Sequence, residues 1–471
     1  MASISRRVFI GAAVAMAGAP AVAARTVRAV VQDAARVGWD HADAIVKRIR
    51  APRFPDRDFP ITSYGARPGA SNDATDAIRQ AIAACRDAGG GRVRVPAGTF
   101  HTGAIHLASG VNLHLDEGAT LAFSTDPRAY LPRVLTRFEG LELMGYSPLI
   151  YAIDAHDVAI TGRGTLDGQA GPDVWWPWKG GATGPNQTAA RARLVEMAAA
   201  GVPVEQRVFG EGSYLRPNFI QPYRCHNVLV EDVTIVNSPM WEIHPVLSSN
   251  VIVRGVQIRS HGPNNDGCNP ESCHDVLIER CTFDTGDDCI ALKSGRNDDG
   301  RRLHTPVEDV VIRDCVMKDG HGGVVIGSEI SGGARRIFAE RCRMDSPRLD
   351  RVLRFKTNSV RGGTIEHVYL RDITVGQVAE AIVTADFYYE EGDTGSFTPV
   401  LRDVEVRRVT SRQSRYALLL RGYARAPITD VRVVDCTFDG VREDDRLEGV
   451  RDLELRDVRV NGTRRSGRIS R

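Results

Sequence analysis

The stretch NVLVEDVTI at residues 227–235 returns as NVIVRGVQI at 250–258, DVLIERCTF at 275–283 and DVVIRDCVM at 309–317. Each copy opens on Asn or Asp, alternates apolar positions, passes a polar pair and ends on two further apolar positions. Weaker copies begin at Arg336, His367, Asp403, Asp430 and Asp452, so successive starts lie 22 to 36 residues apart. Self-similarity at a period of roughly 20–50 residues marks a solenoid or a propeller. Period-two alternation inside each copy marks a strand with one buried face. Gly, Asn and Asp turns separate the strands and no helical stretch intervenes, which argues against leucine-rich and helical repeats. The expected fold is therefore all-β: a single-domain parallel β-helix with one coil per repeat, coils stacked about 4.8 Å apart.

The seventh position of the repeat holds Val233, Val256, Cys281, Cys315, Cys342, Ile373, Val409, Cys436 and Val458. A position shared by Cys, Val and Ile is a buried stack of small apolar side chains, not a ligand set. Cys225 and Cys273 share another equivalent position two residues before the repeat. No CxxC or Cys/His zinc spacing occurs among the nine cysteines. Cys268 and Cys273 are close enough in sequence for a small disulfide, which the sequence leaves open.

Upstream of the repeats, residues 38–49 read as a short helix with Trp39, Ile45, Val46 and Ile49 as apolar contacts. A second helix is expected from Asp73 to Ala88, stopped by Gly89-Gly90-Gly91. Such N-terminal helices suit the capping of a solenoid, whose first coil otherwise exposes backbone edges. From about Asp167 to Arg216 a long insertion containing Trp175-Trp176-Pro177-Trp178 interrupts the repeat. Long insertions in solenoids gather on one face, often the binding face. At the very start, Ser5-Arg6-Arg7-Val8-Phe9-Ile10, an Ala/Val/Gly/Met run and Ala21-Val22-Ala23 read as a twin-arginine signal peptide over 1–23. The organisation expected is thus 1–23 signal, 24–58 helical lead-in, 59–462 β-helix with its insertion at about 167–216, and 463–471 basic tail. Export to the periplasm or beyond follows from the signal. No later run approaches the ~20 apolar residues of a membrane span. With 61 basic and 59 acidic residues the net charge is +2, which gives no field for nucleic acid or a membrane surface. Only Lys47, Lys179, Lys293, Lys318 and Lys356 among the basic residues are lysines.

The residues able to carry chemistry are Asn264-Asn265-Asp266-Gly267, Gly286-Asp287-Asp288, Gly320-His321-Gly322 and Arg354-Phe355-Lys356. Asp287 and His321 fall at the same offset from their repeat starts, Asp275 and Asp309, and Asp266 lies one coil earlier. Stacking therefore brings Asp266, Asp287, Asp288 and His321 together. Arg354 and Lys356, two residues apart in the next coil, point the same way. In this order the four motifs resemble glycoside hydrolase family 28, the polygalacturonases and rhamnogalacturonan hydrolases, with its pattern Asn-Thr-Asp, Gly-Asp-Asp, Gly-His-Gly and Arg-Ile-Lys. Asn265 replaces Thr and Phe355 replaces Ile, and neither change removes an ionisable group. The likeness runs from about Phe59 to about Val460.

The resemblance implies a right-handed β-helix of the pectin-lyase type and a metal-independent hydrolase without cofactor. Its partner would be galacturonan, an anionic polysaccharide, and the protein a monomer. Glycoside hydrolysis needs a protonated carboxylic acid for the leaving oxygen and a carboxylate to activate water or attack. By that resemblance Asp287 is the acid, and Asp266 and Asp288 activate the water with inversion. His321 tunes the carboxylates or contacts the sugar, and Arg354 and Lys356 suit a substrate that carries carboxylates. Coil spacing alone does not decide between inversion and retention. Trp241, the Trp175–Trp178 group, Tyr388 and Tyr389 are candidates for sugar stacking or for packing. The insertion, by walling one end of the cleft, favours action on chain ends. Rival readings are a rhamnogalacturonan or modified-galacturonide hydrolase, a calcium-dependent pectate lyase and a non-catalytic polysaccharide-binding β-helix.

Overall fold

Two residues of each repeat turn the chain, and they fix the coil. In a computed structural model, which describes residues 37–180 and 184–471, all nine repeat starts adopt left-handed backbone with φ between 51° and 58°. So do the nine residues five places on, Asp232, Gly255, Arg280, Asp314, Arg341, Asp372, Arg408, Asp435 and Asp457, at 49–67°. An L-residue in this region costs roughly 1–2 kcal/mol, least for Gly, Asn and Asp, which explains the Gly, Asn and Asp that fill most of these positions. The signal segment expected at 1–23 and the lead-in up to residue 36 lie outside the described residues.

Between the two turns runs a short strand whose alternate residues face inward. Val228, Val251, Val276, Val310, Ile337, Val368, Val404, Val431 and Leu453 pair in parallel from coil to coil without a slip. The seventh-position residues are all buried, the four cysteines at 1–2% exposure. All nine cysteines are free, so the Cys268–Cys273 pairing left open by the sequence is absent; both thiols lie inside the core. The coils wind in the right-handed sense, as parallel strands joined by crossovers do.

A third sheet carries the site. Its strands are β1 (Ile290–Leu292), β2 (Val324–Ile326), β3 (Arg351–Lys356), β4 (Ala381–Asp386), β5 (Tyr416–Arg421) and β6 (Arg446–Glu448). Single bridges Ile243↔Cys268↔Ile290 extend this face to the preceding coils.

The two ends and the flank differ from expectation in two places. Helix α2 (Thr75–Asp87) caps the first coils with Ala77, Ile78, Ala81, Ile82 and Cys85 buried. Helix α1 (Trp39–Arg48) does not cap: it lies across the flank of three coils, with Arg48 on Asp275 and Asp309 at 2.6 and 3.0 Å and Trp39 against Phe338. Its one apolar stripe and basic end suit a strap over a charged flank better than a plug. At the other end the expected basic tail is a strand, Thr463–Ile469, antiparallel to Val450–Val460 after a turn at Gly462. The last coil would otherwise leave its edge unpaired, and arginines on the covering strand discourage further pairing.

Two excursions stand over the site face. One is an antiparallel hairpin, Val134–Phe138 with Leu141–Gly145, not distinguished in the sequence. The other is the insertion after Asp167, which carries helix α3 (Thr188–Ala199). Phe138, Leu141 and Leu143 of the hairpin and Leu194 and Ala198 of α3 form a small core of their own, which ends on Met240 and Trp241. The insertion is thereby fastened to the floor of the cleft.

Candidate active site

Three consecutive turns of the site face, 261–267, 286–289 and 320–323, deliver the carboxylates and His321. Their glycines are there because no side chain fits: a Cβ on Gly286 would meet the Gly262 carbonyl oxygen at 2.4 Å, and one on Gly322 would meet the Val325 side chain at 2.5 Å. Asn265 explains its own departure from the family pattern. Wholly buried, it donates to the Ser238 and Met240 carbonyls at 3.1 and 3.0 Å and accepts from Ser260 and the Gly262 amide at 2.7 Å each. Four bonds fix the turn on which Asp266 sits. Arg216, at the end of the insertion, bonds the Pro239 and Pro263 carbonyls and Asn264 Oδ1 from the other side. Phe355 faces the core, as its position between Arg354 and Lys356 requires.

Asp266, Asp287, Asp288, His321, Arg354 and Lys356 all line one cleft of about 330 Å³. Asp288 is fully buried and accepts from Lys356 Nζ at 2.6 Å, with Arg354 Nη1 at 3.5 Å. Asp266, 3% exposed, accepts from Asn269 at 2.9 Å and lies 3.6 Å from Lys293 Nζ. Asp287 is the most accessible of the three. Its Oδ1 accepts the Asp288 amide and lies 3.0 Å from His321 Nδ1.

Crowding separates the carboxylates electrostatically. Burial, reinforced by the charge of Asp287, pushes Asp266 up to about 8. Burial opposes the ionisation of Asp287 as well, but the His321 contact and the Lys356 charge outweigh it and hold Asp287 at about 2. His321 is correspondingly raised by Asp287. Between those two values the pair holds one proton and one negative charge, the state that concerted acid and base work requires.

Sequence reasoning did not single out Lys293, Glu329, Glu139, Lys179 or Arg191, all of which line the cleft. Lys293 donates to Glu329 at 2.9 Å and sits 4.3 Å over the Trp241 ring, so that ring is covered by an ammonium group. Tyr389, beside Arg354 and Lys356 at 5.6 and 5.5 Å, reaches the cleft, whereas Trp175, Trp176 and Trp178 pack on the main core, Trp176 donating to the Ser238 carbonyl. Glu139, at the hairpin tip, is met by Arg191 of α3 at 2.5 Å, Arg296 at 3.2 Å and Lys179 at 3.9 Å. Glu139, Lys179 and Arg191 together line the cleft at the insertion end. A signal for the two lysines was present. Three of the five lysines, Lys179, Lys293 and Lys356, line this cleft in a chain that otherwise uses arginine.

Asp266, Asp288 and Glu329 are matched by the ammonium groups of Lys293 and Lys356, which compete with any divalent cation for their oxygens. Among the described residues, His261, Asp284 and Asp319 form the one group with ligand atoms spaced for a metal. They lie outside this cleft, and Asp319 is held by Ser346 and Arg348 at 2.6 and 2.7 Å.

Comparison with known proteins gives a consistent result. The pattern of Glycosyl hydrolases family 28 matches residues 210–455. A probable polygalacturonase of Vitis vinifera is 30% identical over 74% of this chain and 67% of its own length. The exo-poly-alpha-D-galacturonosidase of Dickeya chrysanthemi is 26% identical over 75% and 62%. Among solved structures, the hyperthermoactive exopolygalacturonase of Thermotoga maritima superposes with a TM-score of 0.89 at 44% identity, covering 92% of this chain and 99% of that one.

Proposed function

Because the chain belongs to glycosyl hydrolase family 28, we propose that it hydrolyses α-galacturonide linkages of galacturonan, working from a chain end. One observation carries the reading: three carboxylates from two adjacent coils, Asp266, Asp287 and Asp288, line a single cleft together with Lys293, Lys356 and Arg354, cations suited to an anionic sugar.

Asp287, the most accessible carboxyl, gives its proton to the glycosidic oxygen as the C–O bond breaks. Asp266 and Asp288 hold the attacking water and take its proton, and solvent restores the balance. In the free enzyme the shared proton rests on Asp266. An arriving sugar strips water from Asp287, and its carboxylate draws on Lys356 and Arg354. Both effects raise Asp287 and favour transfer of the proton to it. Water held opposite the leaving oxygen inverts the anomeric carbon, which proton NMR of the first-formed product would test: retention there would overturn the assignment.

Action from the end is supported by the likeness to exo-acting polygalacturonases and by Glu139, Lys179 and Arg191, which the hairpin and the insertion bring to one end of the cleft. Time-resolved product analysis on polygalacturonate tests both parts. Monogalacturonate alone from the earliest sample is expected. A ladder of mixed oligomers would overturn exo-action, and unsaturated ends absorbing in the near ultraviolet would replace hydrolysis by elimination.

We also infer that residues 1–23 direct twin-arginine export of a monomeric enzyme. Replacing Arg6 and Arg7 with lysine should keep the protein in the cytoplasm, and sedimentation at equilibrium should give the mass of one chain.

A further inference from the structure

The cleft continues past Tyr389. A second cavity of about 700 Å³ shares Arg354, Lys356 and Tyr389 with it and runs over β4, β5 and β6. Parallel pairing carries two columns of outward side chains along this surface. Lys356 aligns with Asp386, Arg421 and Glu448, and Arg354 aligns with Thr384, Leu419 and Arg446. Each step is one coil, about 4.8 Å. Arg421 thus lies two coils beyond Lys356, and Arg446 three beyond Arg354.

These arginines are held differently from those of the turn columns. Arg408 grips Asp372 through two bonds of 2.6 and 2.7 Å. Arg421 is instead stretched between Asp386 at 3.5 Å and Glu448 at 3.4 Å, and lies 4.8 Å over the Tyr388 ring. Arg446 has its nearest acid, Glu443, at 3.9 Å and lies 5.2 Å over Tyr416. A guanidinium resting on an aromatic face keeps its fork of donors for an incoming carboxylate. Asp386 and Glu448 oppose that carboxylate, so each arginine contributes modestly.

We propose that this second cavity is a subsite for the polyuronate chain leaving the catalytic cleft. Arg421 and Arg446 contact the carboxylates of sugars two and three positions beyond the one held by Arg354 and Lys356. The proposal rests on the functional reading above. An extended polyuronate bears one carboxylate per sugar, with a repeat close to one coil step. The hairpin and insertion residues Glu139, Lys179 and Arg191 line the other end of the cleft, so with action from a chain end the rest of the chain leaves over β4–β6.

The test is kcat/KM on galacturonate oligomers of two to six sugars for the wild type, Arg421→Ala, Arg446→Ala and the double variant. The wild type should gain with length, and the double variant should fall about tenfold on the hexamer, through KM, with the dimer unchanged. An unchanged hexamer, or an equal loss on dimer and hexamer, would overturn the subsite while dimer hydrolysis upheld the enzyme. No hydrolysis of any oligomer by the wild type would overturn the functional reading and the subsite together.

Discussion

Two faces of this solenoid stack acidic residues at the same coil spacing, with opposite results. On the turn columns acids meet bases on neighbouring coils: Arg336 bonds Asp309, Arg341 bonds Asp314 and Arg408 bonds Asp372, at 2.5 to 2.8 Å. These pairs are partly exposed, and each stabilises its neighbour coil by little. On the site face three carboxyls crowd together, Asp266 and Asp288 buried against Lys293 and Lys356 and Asp287 half-buried beside His321. The repeat geometry is common to both. Opposite sign at the surface makes a ladder, and crowded carboxyls make an acid and a base out of identical side chains.

The largest expected effect comes from removing a reacting group. Asp287→Asn should lower kcat by about a thousandfold or more while thermal unfolding stays within a few degrees. A comparable loss in melting temperature would mean that the site face, like the ladder, is structural. Next, Lys356→Met leaves Asp288 buried without its closest cation, for which about 3–5 kcal/mol of destabilisation is expected in denaturant titration. The charge-conserving Lys356→Arg should also be poorly active, since a planar fork does not replace a compact ammonium.

His321→Ala acts on the proton. Its contact favours ionised Asp287, so its loss raises that pKa, and the acid limb of kcat/KM against pH should move upward. An unmoved limb would show that His321 serves only to bind sugar. The smallest effect belongs to the ladder: Arg341→Ala should cost less than about 1 kcal/mol in unfolding free energy and leave turnover unchanged. A larger cost would erase the contrast between the faces.

The repeat was legible because one residue in a coil recurs with its burial and its backbone angle. Asn and Asp at the first position report the left-handed turn, and the Val/Ile/Cys position reports the core. The four charged motifs were legible because the register converts sequence offset into proximity. The hairpin at 134–145 carries no repeat and gave no signal, so Glu139 at its tip was missed. Lys293 lies in a coil already marked by Asp287 and Asp288, but nothing in its neighbours Leu292 and Ser294 says that it points at Asp266. Helix α1 was visible from its apolar spacing, while its place on the flank depends on Asp275 and Asp309 from far along the chain. Arginine at 464, 465 and 468 looked like a basic tail because edge protection and disorder favour the same residues.

Stacking leaves one proton shared between Asp266 and Asp287. The dependence of kcat/KM on pH reads it directly, since this ratio reports the free enzyme. With Asp266 lifted to about 8, loss of that proton removes the only acid of the pair. Activity on an oligogalacturonide should therefore fall tenfold per pH unit above about 8. A plateau running well past pH 9 in a protein that remains folded would contradict the account.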